Sequence, residues 1–323
     1  MKIAVTGAGG FIGGHLVNHL AAQGHQTISI DVKPIGKWYQ EPPELHKFYD
    51  HFDLRYVNPN DLAAILHGCD HVYALAADMG GMGYIEYHKL ACSLNVLTSA
   101  NTMFASEIGE VNKVFYASSA CVYNADKQAT VEAKPLKESD AYPAMPEDGY
   151  GWEKLYSERL ATHFDRESQM QTRVARYHNV YGPKGAWQGG REKAPAALCR
   201  KVVECHMSGE DDIHIWGDGQ QTRSFMYIDD CIDGTVKIMN MRQHQILNLG
   251  SSELVSINQL LDTIEEIAGF PRLNRRYNFE APTGVRGRNS DNTNIKTELN
   301  WEPSISLYEG LEATYAWIRD EMS

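Results

Sequence analysis

Residues 1–13 read MKIAVTGAGGFIG, a short apolar run from Ile3 to Val5 that passes through Thr6 into Gly7, Gly9, Gly10 and Gly13. This junction predicts a strand, a tight turn and the opening of a helix. Glycine is needed there where the chain reverses, where backbone approaches a pyrophosphate and where helix packs on strand; the helix N-terminus then faces the negative charge. Gly7, Gly10 and Gly13 are spaced G-x-x-G-x-x-G, one residue longer than the usual fingerprint, and Gly9 offers a second middle glycine. The next apolar run, TISID, ends in Asp31, the distance downstream at which a carboxylate meets the adenosine ribose. Its charge repels a 2′-phosphate, so the pattern predicts NAD rather than NADP. Asp53, in FDLR, is the next candidate, for the adenine edge.

Outward from that junction, short apolar runs alternate with helical patterns: KIAVTG, a helix near 10–24, TISID, HVYALAA, a helix across 85–108, KVFYASS, a helix over 150–169, and the strand TRVARYHNVYG. Alternation of this kind predicts an α/β chain, a Rossmann-type doubly wound parallel sheet covered by helices on both faces. Beyond residue 184 the pattern is less regular and predicts a smaller α/β substrate-binding lobe. The expected division is a cofactor domain over 1–180 and a second lobe over 181–323, with a segment near 226–250 returning to the first.

The chain has 323 residues, 43% hydrophobic and 22% charged, with a net charge of −12 and a sequence pI of about 5.5. That field repels phosphate backbones and anionic lipid, which argues against a nucleic-acid or membrane partner. A small anionic ligand then needs a local cationic cluster. Six cysteines without a C-x-x-C pair fit neither a disulfide framework nor a structural zinc site. No metal is expected from the thirteen histidines. With neither a signal-peptide pattern nor a membrane-length apolar run, the expected location is cytoplasmic.

Tyr150 and Lys154 form Y-x-x-x-K, an i,i+4 pair on one face of a predicted helix. Bringing a tyrosine from about 10 to about 7 takes ~4 kcal/mol of phenolate stabilisation. A cation at ~4 Å in an effective dielectric of ~20 supplies about that much. Ser119, closing the strand KVFYASS, is then placed to hydrogen-bond the substrate oxygen that Tyr150 deprotonates.

TGAGGFIG, YASSACVY, YGWEK, RYHNVYGP and RSFMYIDD, in this order, resemble the extended short-chain dehydrogenase/reductases that act on nucleotide sugars. LNWEP resembles their C-terminal L-G-W-x-P, with Asn300 in place of Gly. LAADMGGMG, SSACVY, GGREKAPAA, GDGQQTRSF and GVRGRNSDN narrow the resemblance to the GDP-mannose 3,5-epimerase family. That resemblance implies an NAD site at Gly7, Gly10, Phe11, Ile12, Gly13, Asp31, Asp53, Tyr150 and Lys154. It implies substrate contacts at Gly80, Ser119, Cys121, Asn179, Glu192, Lys193, Ala194, Lys201, Gln221, Thr222, Arg223 and Arg288.

Catalysis is implied at Ser119, Cys121, Tyr150, Lys154 and Lys193. Tyr150 would take the proton of the hexose 4-hydroxyl during transient oxidation at carbon 4. Cys121 and Lys193 would exchange protons at the acidified carbons 3 and 5. Arg223 and Arg288, with Lys201, are the expected diphosphate clamp, because a guanidinium fork matches phosphate oxygens. Asn95 is a candidate for organising a relay water or for packing its helix. The expected substrate is a GDP-sugar, GDP-mannose giving GDP-L-galactose and GDP-L-gulose, and the expected assembly a homodimer. Another GDP-hexose or GDP-heptose, or a non-catalytic NAD-binding regulator, are the competing expectations.

Overall fold

The computed structural model describes the whole chain except residues 44 and 45. Its strands include β1 (Lys2–Thr6), β2 (Gln26–Ile30), β3 (Lys47–Tyr49), β4 (His71–Ala74), β5 (Lys113–Ser119), β6 (Gln171–Tyr177), β7 (Asn179–Tyr181), β8 (Asp212–Trp216), β9 (Thr222–Tyr227) and β10 (Ile246–Leu249), with three short strands after them. A parallel seven-stranded sheet runs β10-β6-β5-β4-β1-β2-β3. Strand order reverses between β1 and β4, which opens a crevice at their carboxyl ends where ligands collect in such sheets.

Helices α1 (Phe11–Ala22), α2 (Pro59–Leu66), α3 (Met82–Tyr87), α4 (Lys89–Ser93), α5 (Asn95–Ile108), α6 (Asp148–Glu167), α7 (Ala194–Ser208) and α8 (Ile228–Met239) follow. Two apolar layers cover the sheet. Leu16, Val17 and Leu20 of α1 with Ile232 and Ile238 of α8 fill one face; Leu62 and Leu66 of α2 with Met103 of α5 and Ala161 of α6 fill the other. Burial on both faces explains the near-continuous apolar character of the strands. A third core joins α7, β8 and the two later helices Ile257–Ala268 and Leu307–Met322.

Two expected elements are divided. The helix across 85–108 is three consecutive segments, α3, α4 and α5, with His88 and Leu94 between them. The run TRVARYHNVYG is two strands: β6 joins the large sheet, whereas β7 pairs with β9 in a smaller one. Between them His178 donates its backbone N–H to Leu249 O at 3.0 Å, so the ladder changes partner at one residue. Apolar periodicity records that both strands are buried and carries no mark of which sheet each joins. Asn300 caps the helix Thr293–Leu299 at φ 48°. Asn tolerates this left-handed conformation, which accounts for its standing where the resemblance has Gly.

Candidate active site

The glycine turn is built as its spacing predicts. Gly7 has φ +75°, and a Cβ on Gly13 would lie 2.1 Å from Gly7 O, so α1 can pack on the end of β1 only with hydrogen there. Gly9 serves a different neighbour, since its Cβ would fall 2.6 Å from the Trp38 ring. A cavity of about 790 Å³ starts at this turn and is walled by Gly10, Phe11, Ile12, Asp31 and Asp53 at one end and by Ser119, Tyr150, Lys154 and Lys193 at the other. Asp31 accepts the backbone N–H of Gly9 and of Lys33, both at 2.9 Å, which fixes its carboxylate at the cavity wall. Asp53 is gripped by Arg55, whose Nη2 lies 2.6 Å away; that hydrogen bond holds its carboxyl below the usual range. The cradle fits a dinucleotide: backbone comes close where glycine removes the obstruction, and a carboxylate waits at the second strand end.

At the other end, Ser119 closes β5 and its Oγ accepts the backbone N–H of Cys121 at 3.2 Å, capping the turn Ala120–Val122. Strand alternation sends Ser118 elsewhere, onto Glu158 at 2.5 Å. Tyr150 and Lys154 are buried on the inner face of α6. Lys154 Nζ lies 5.6 Å from the Tyr150 ring centroid and 4.8 Å from that of Tyr116. Burial pushes the Tyr150 hydroxyl up, while Lys154 pulls it down. A hydroxyl so placed holds its proton until positive charge is added beside it.

Cys121 packs against Tyr150 and Cys92 in a small apolar cluster. Burial pushes its thiol up, Glu147 adds to this, and Arg288 opposes it. Burial pushes the Lys193 ammonium down, with Cys121 the first group working the other way. Burial thus works on the two groups in opposite senses, the thiol upward and the amine downward; Lys193 lines the cavity, whereas Cys121 lies beside it, packed on Tyr150. Lys193 is held there as the N-cap of α7, with Ala194 as the first helical residue.

The other residues expected to meet substrate fall into two groups. Gly80 and Glu192 lie where the loop before α3 touches the segment before α7: a Cβ on Gly80 would be 3.1 Å from Arg191 Cα, and one on Gly81 would be 2.3 Å from Glu192 O. Glu192 itself turns to Arg200 at 3.5 Å. In the second group each side chain already has a protein partner. Asn179 donates to Ser224 O at 3.1 Å, Gln221 to Trp216 O at 2.8 Å, Thr222 to Val131 O at 2.6 Å and Lys201 to His214 O at 2.7 Å. Arg223 donates to the carbonyls of Thr222, Thr283 and Val285. Arg288 donates to Gln128 at 2.6 Å and to Glu147, and its Nη1 lies 3.7 Å from Cys121 Sγ. Lys201, Arg223 and Arg288 do not line the cavity.

Asn95 accepts the backbone N–H of Asp78 at 2.7 Å and donates to Asp78 O at 3.0 Å, so its amide holds the loop that carries Asp78. Several residues escaped the sequence reading. Arg191 clasps Asp78 at 2.8 Å, Met79 O at 2.9 Å and Tyr84 Oη at 2.7 Å, which ties the two loops over the cavity. Its only signal was position, two residues before Lys193. Glu147 and Gln128 had none, because each is defined by Arg288, 141 and 160 residues away. Among the described residues, no group of three or more His, Cys, Asp or Glu is set to hold a metal, and no helix is long and apolar enough to cross a membrane.

Residues 3–250 match the NAD dependent epimerase/dehydratase family. The chain belongs to that family. It is 43% identical, over its whole length and 82% of the relative's, to GDP-mannose 3,5-epimerase 1 of Oryza sativa subsp. japonica. It is 42% identical to GDP-mannose 3,5-epimerase of Arabidopsis thaliana, again over the whole chain and 83% of that protein. Among family structures, UDP-glucose 4-epimerase of Thermotoga maritima with UDP-glucose superposes with a TM-score of 0.87 at 26% identity, both chains fully covered. UDP-glucuronic acid 4-epimerase of Bacillus cereus, in complex with UDP-glucuronic acid and NAD, gives 0.83 at 27% identity, covering 99% of this chain and all of the other. The family's NAD dependence agrees with the glycine cradle and Asp31.

Proposed function

We propose that this chain is an NAD-dependent epimerase that converts GDP-mannose to GDP-L-galactose, with GDP-L-gulose as the 5-epimer. The observation that carries the reading is the company kept by Tyr150 and Lys154: a buried thiol, Cys121, packed on Tyr150, and a half-buried lysine, Lys193, on the wall of the cavity that Tyr150 and Lys154 also line. A dehydrogenase or a 4-epimerase has no use for that second pair. NAD, held by Gly7, Gly10, Phe11, Ile12, Gly13, Asp31 and Asp53, supplies reversible oxidation at carbon 4. Ser119 hydrogen-bonds the 4-oxygen, Tyr150 takes and returns its proton, and Lys154 favours the phenolate. Cys121 and Lys193 exchange protons at carbons 3 and 5, which a neighbouring ketone makes acidic.

Arg223 and Arg288 bind the diphosphate with Lys201. In support, the two guanidinium groups stand close enough to repel one another, with Glu147 as the carboxylate acting on both; an anionic ligand relieves that repulsion. Gly80, Asn179, Glu192, Ala194, Gln221 and Thr222 complete the sugar-nucleotide site. Turnover of GDP-mannose in deuterium oxide tests the scheme: label enters carbons 3 and 5 and not carbon 4, and recovery of unlabelled sugar from an active enzyme refutes it.

The cofactor lobe spans 1–180 and the sugar lobe 181–323, and the seat of β10 at the edge of the large sheet supports a returning segment. Two copies pair through α5 and α6. Leu97, Phe104 and Ile108 on one helix and Trp152 and Tyr156 on the other are exposed apolar side chains on packed neighbours, a surface that water leaves unsatisfied. Sedimentation of Phe104→Glu tests it, a monomer being expected. Six free, buried cysteines agree with a cytoplasmic location.

A further inference from the structure

One buried charge beside the reaction centre has no role in that scheme. Glu153 stands between Tyr150 and Lys154 in sequence, and its side chain is 2% exposed with Oε1 3.5 Å from Lys154 Nζ. Oε2 accepts a long hydrogen bond from Ser157 Oγ at 3.4 Å, and Oε1 has no hydrogen-bond partner. Among the described residues, Lys154 makes no hydrogen bond and no other ion pair. Two charges have thus been taken out of water for one loose contact. Desolvating each costs several kcal/mol, which such a contact does not repay. Stability alone does not explain the pair.

The surroundings show what the carboxylate acts on. Lys154 Nζ has Glu153 Oε1 at 3.5 Å and the ring centroids of Tyr116 and Tyr150 at 4.8 and 5.6 Å. The titratable groups facing this pocket are Tyr116 from β5, Cys121 from the turn after it, Cys92 from α4, and Tyr150 and Glu158 from α6. Burial pushes both tyrosines and both thiols up, so they stand neutral. Glu158 is committed to Arg176 by two hydrogen bonds of 2.8 Å. Burial pushes the Glu153 carboxyl up as well, and Lys154 beside it pulls it down, so the Lys154–Glu153 pair is the ionic neighbour of Tyr150 in this pocket.

We propose that Glu153 is a positioning residue for the reaction: a counter-charge behind Lys154 that holds the ammonium in place and limits how strongly it draws Tyr150 toward phenolate. This rests on Tyr150 being the acid/base of the proposed function. The sign follows from Coulomb's law. A carboxylate near the phenolate opposes it, so removing the carboxylate lets Tyr150 ionise at lower pH.

The test is an ultraviolet difference titration of the NAD-loaded protein, with Tyr150→Phe subtracted to isolate the one phenol. In Glu153→Gln the Tyr150 transition is expected about one pH unit below wild type, the step that ~1.4 kcal/mol of lost repulsion produces. Glu153→Asp, which keeps the charge but withdraws it, should fall between the two, and it answers the question if the Gln variant fails to fold. The acid limb of the turnover profile should move with the titration. Coincidence of both variants with wild type, or movement to higher pH, overturns the proposal. The titration needs no sugar, so an inactive wild type would refute the GDP-mannose reading and leave this one to be judged separately.

Discussion

The two ends of the cavity are made of different material. At the cofactor end the decisive atoms are backbone: a left-handed Gly7, the hydrogen on Gly13 that lets α1 approach, and N–H groups that orient Asp31. These parts lie within the first 33 residues. At the end near Tyr150 they are side chains: Cys121, Glu147, Lys193 and Arg288 come from four separate segments, and burial is the first influence on the proton affinity of Cys121 and Lys193. A backbone site tolerates change nearby and fails when a Cβ intrudes. A side-chain site of compensated charges fails when any member is removed, because its partner stays behind in low dielectric.

The sharpest way to separate the two ends is to silence one and watch the other. Cys121→Ala should cut deuterium incorporation by about 10²–10⁴, the usual worth of a positioned acid or base, while bound NAD is retained and transient reduction by GDP-mannose is still seen as nicotinamide absorbance. Tyr150→Phe should lose a similar factor in turnover and lose the absorbance change as well. Equal loss of both signals in the two variants would erase the distinction.

Next in size is the charge cluster. Arg288→Ala leaves Glu147 without its guanidinium in a buried site, a loss of the order of 3–5 kcal/mol in denaturant unfolding. Glu147→Gln on the same background should recover part of it. An additive double variant would mean that the pair is not coupled. NAD content should change little throughout, since these residues lie outside the cofactor cradle.

Gly13→Ala probes the opposite end. A methyl 2.1 Å from Gly7 O must push α1 away, for about 1–3 kcal/mol of overpacking, and NAD affinity should fall while any protein that still carries NAD keeps normal proton exchange. Calorimetry with a cofactor titration reads both.

At neutral pH the smallest effect is that of His178, which shows only as pH falls. His178, wholly buried beside Asn248, is pushed down to about 3, first by burial and then by Arg288. A base held below its unfolded value near 6.5 takes up protons on unfolding. Its contribution is therefore present above about pH 6.5 and is lost as pH falls toward 3, at about 1.4 kcal/mol per unit within that window. His178→Asn should flatten the acid side of the stability curve, and an unchanged slope would show that other groups govern it.

Much of this was legible before folding. The glycine spacing and Asp31 are local features, and i,i+4 spacing alone puts Tyr150 and Lys154 on one helix face. The split of TRVARYHNVYG was not legible, since both halves read as buried strand and only pairing partners distinguish them. Nor were the protein partners of Arg288, since Gln128, Glu147 and the sulfur of Cys121 all lie far from it in the chain. The two hydrogen bonds from Asn95 to Asp78 were likewise not legible, because they span 17 residues and join a helix to a loop.

By itself, then, the sequence determined the cofactor cradle, the doubly wound sheet and the Tyr150–Lys154 face, because each depends on residues close in the chain and on backbone geometry that glycine and helical spacing dictate. Tertiary structure alone decided which charges are compensated, how deeply Cys121 is buried, and that Glu153 and Lys154 are both taken out of water 3.5 Å apart. Those depend on distances between remote segments and on exclusion of water, and the energy of a charge is set by both.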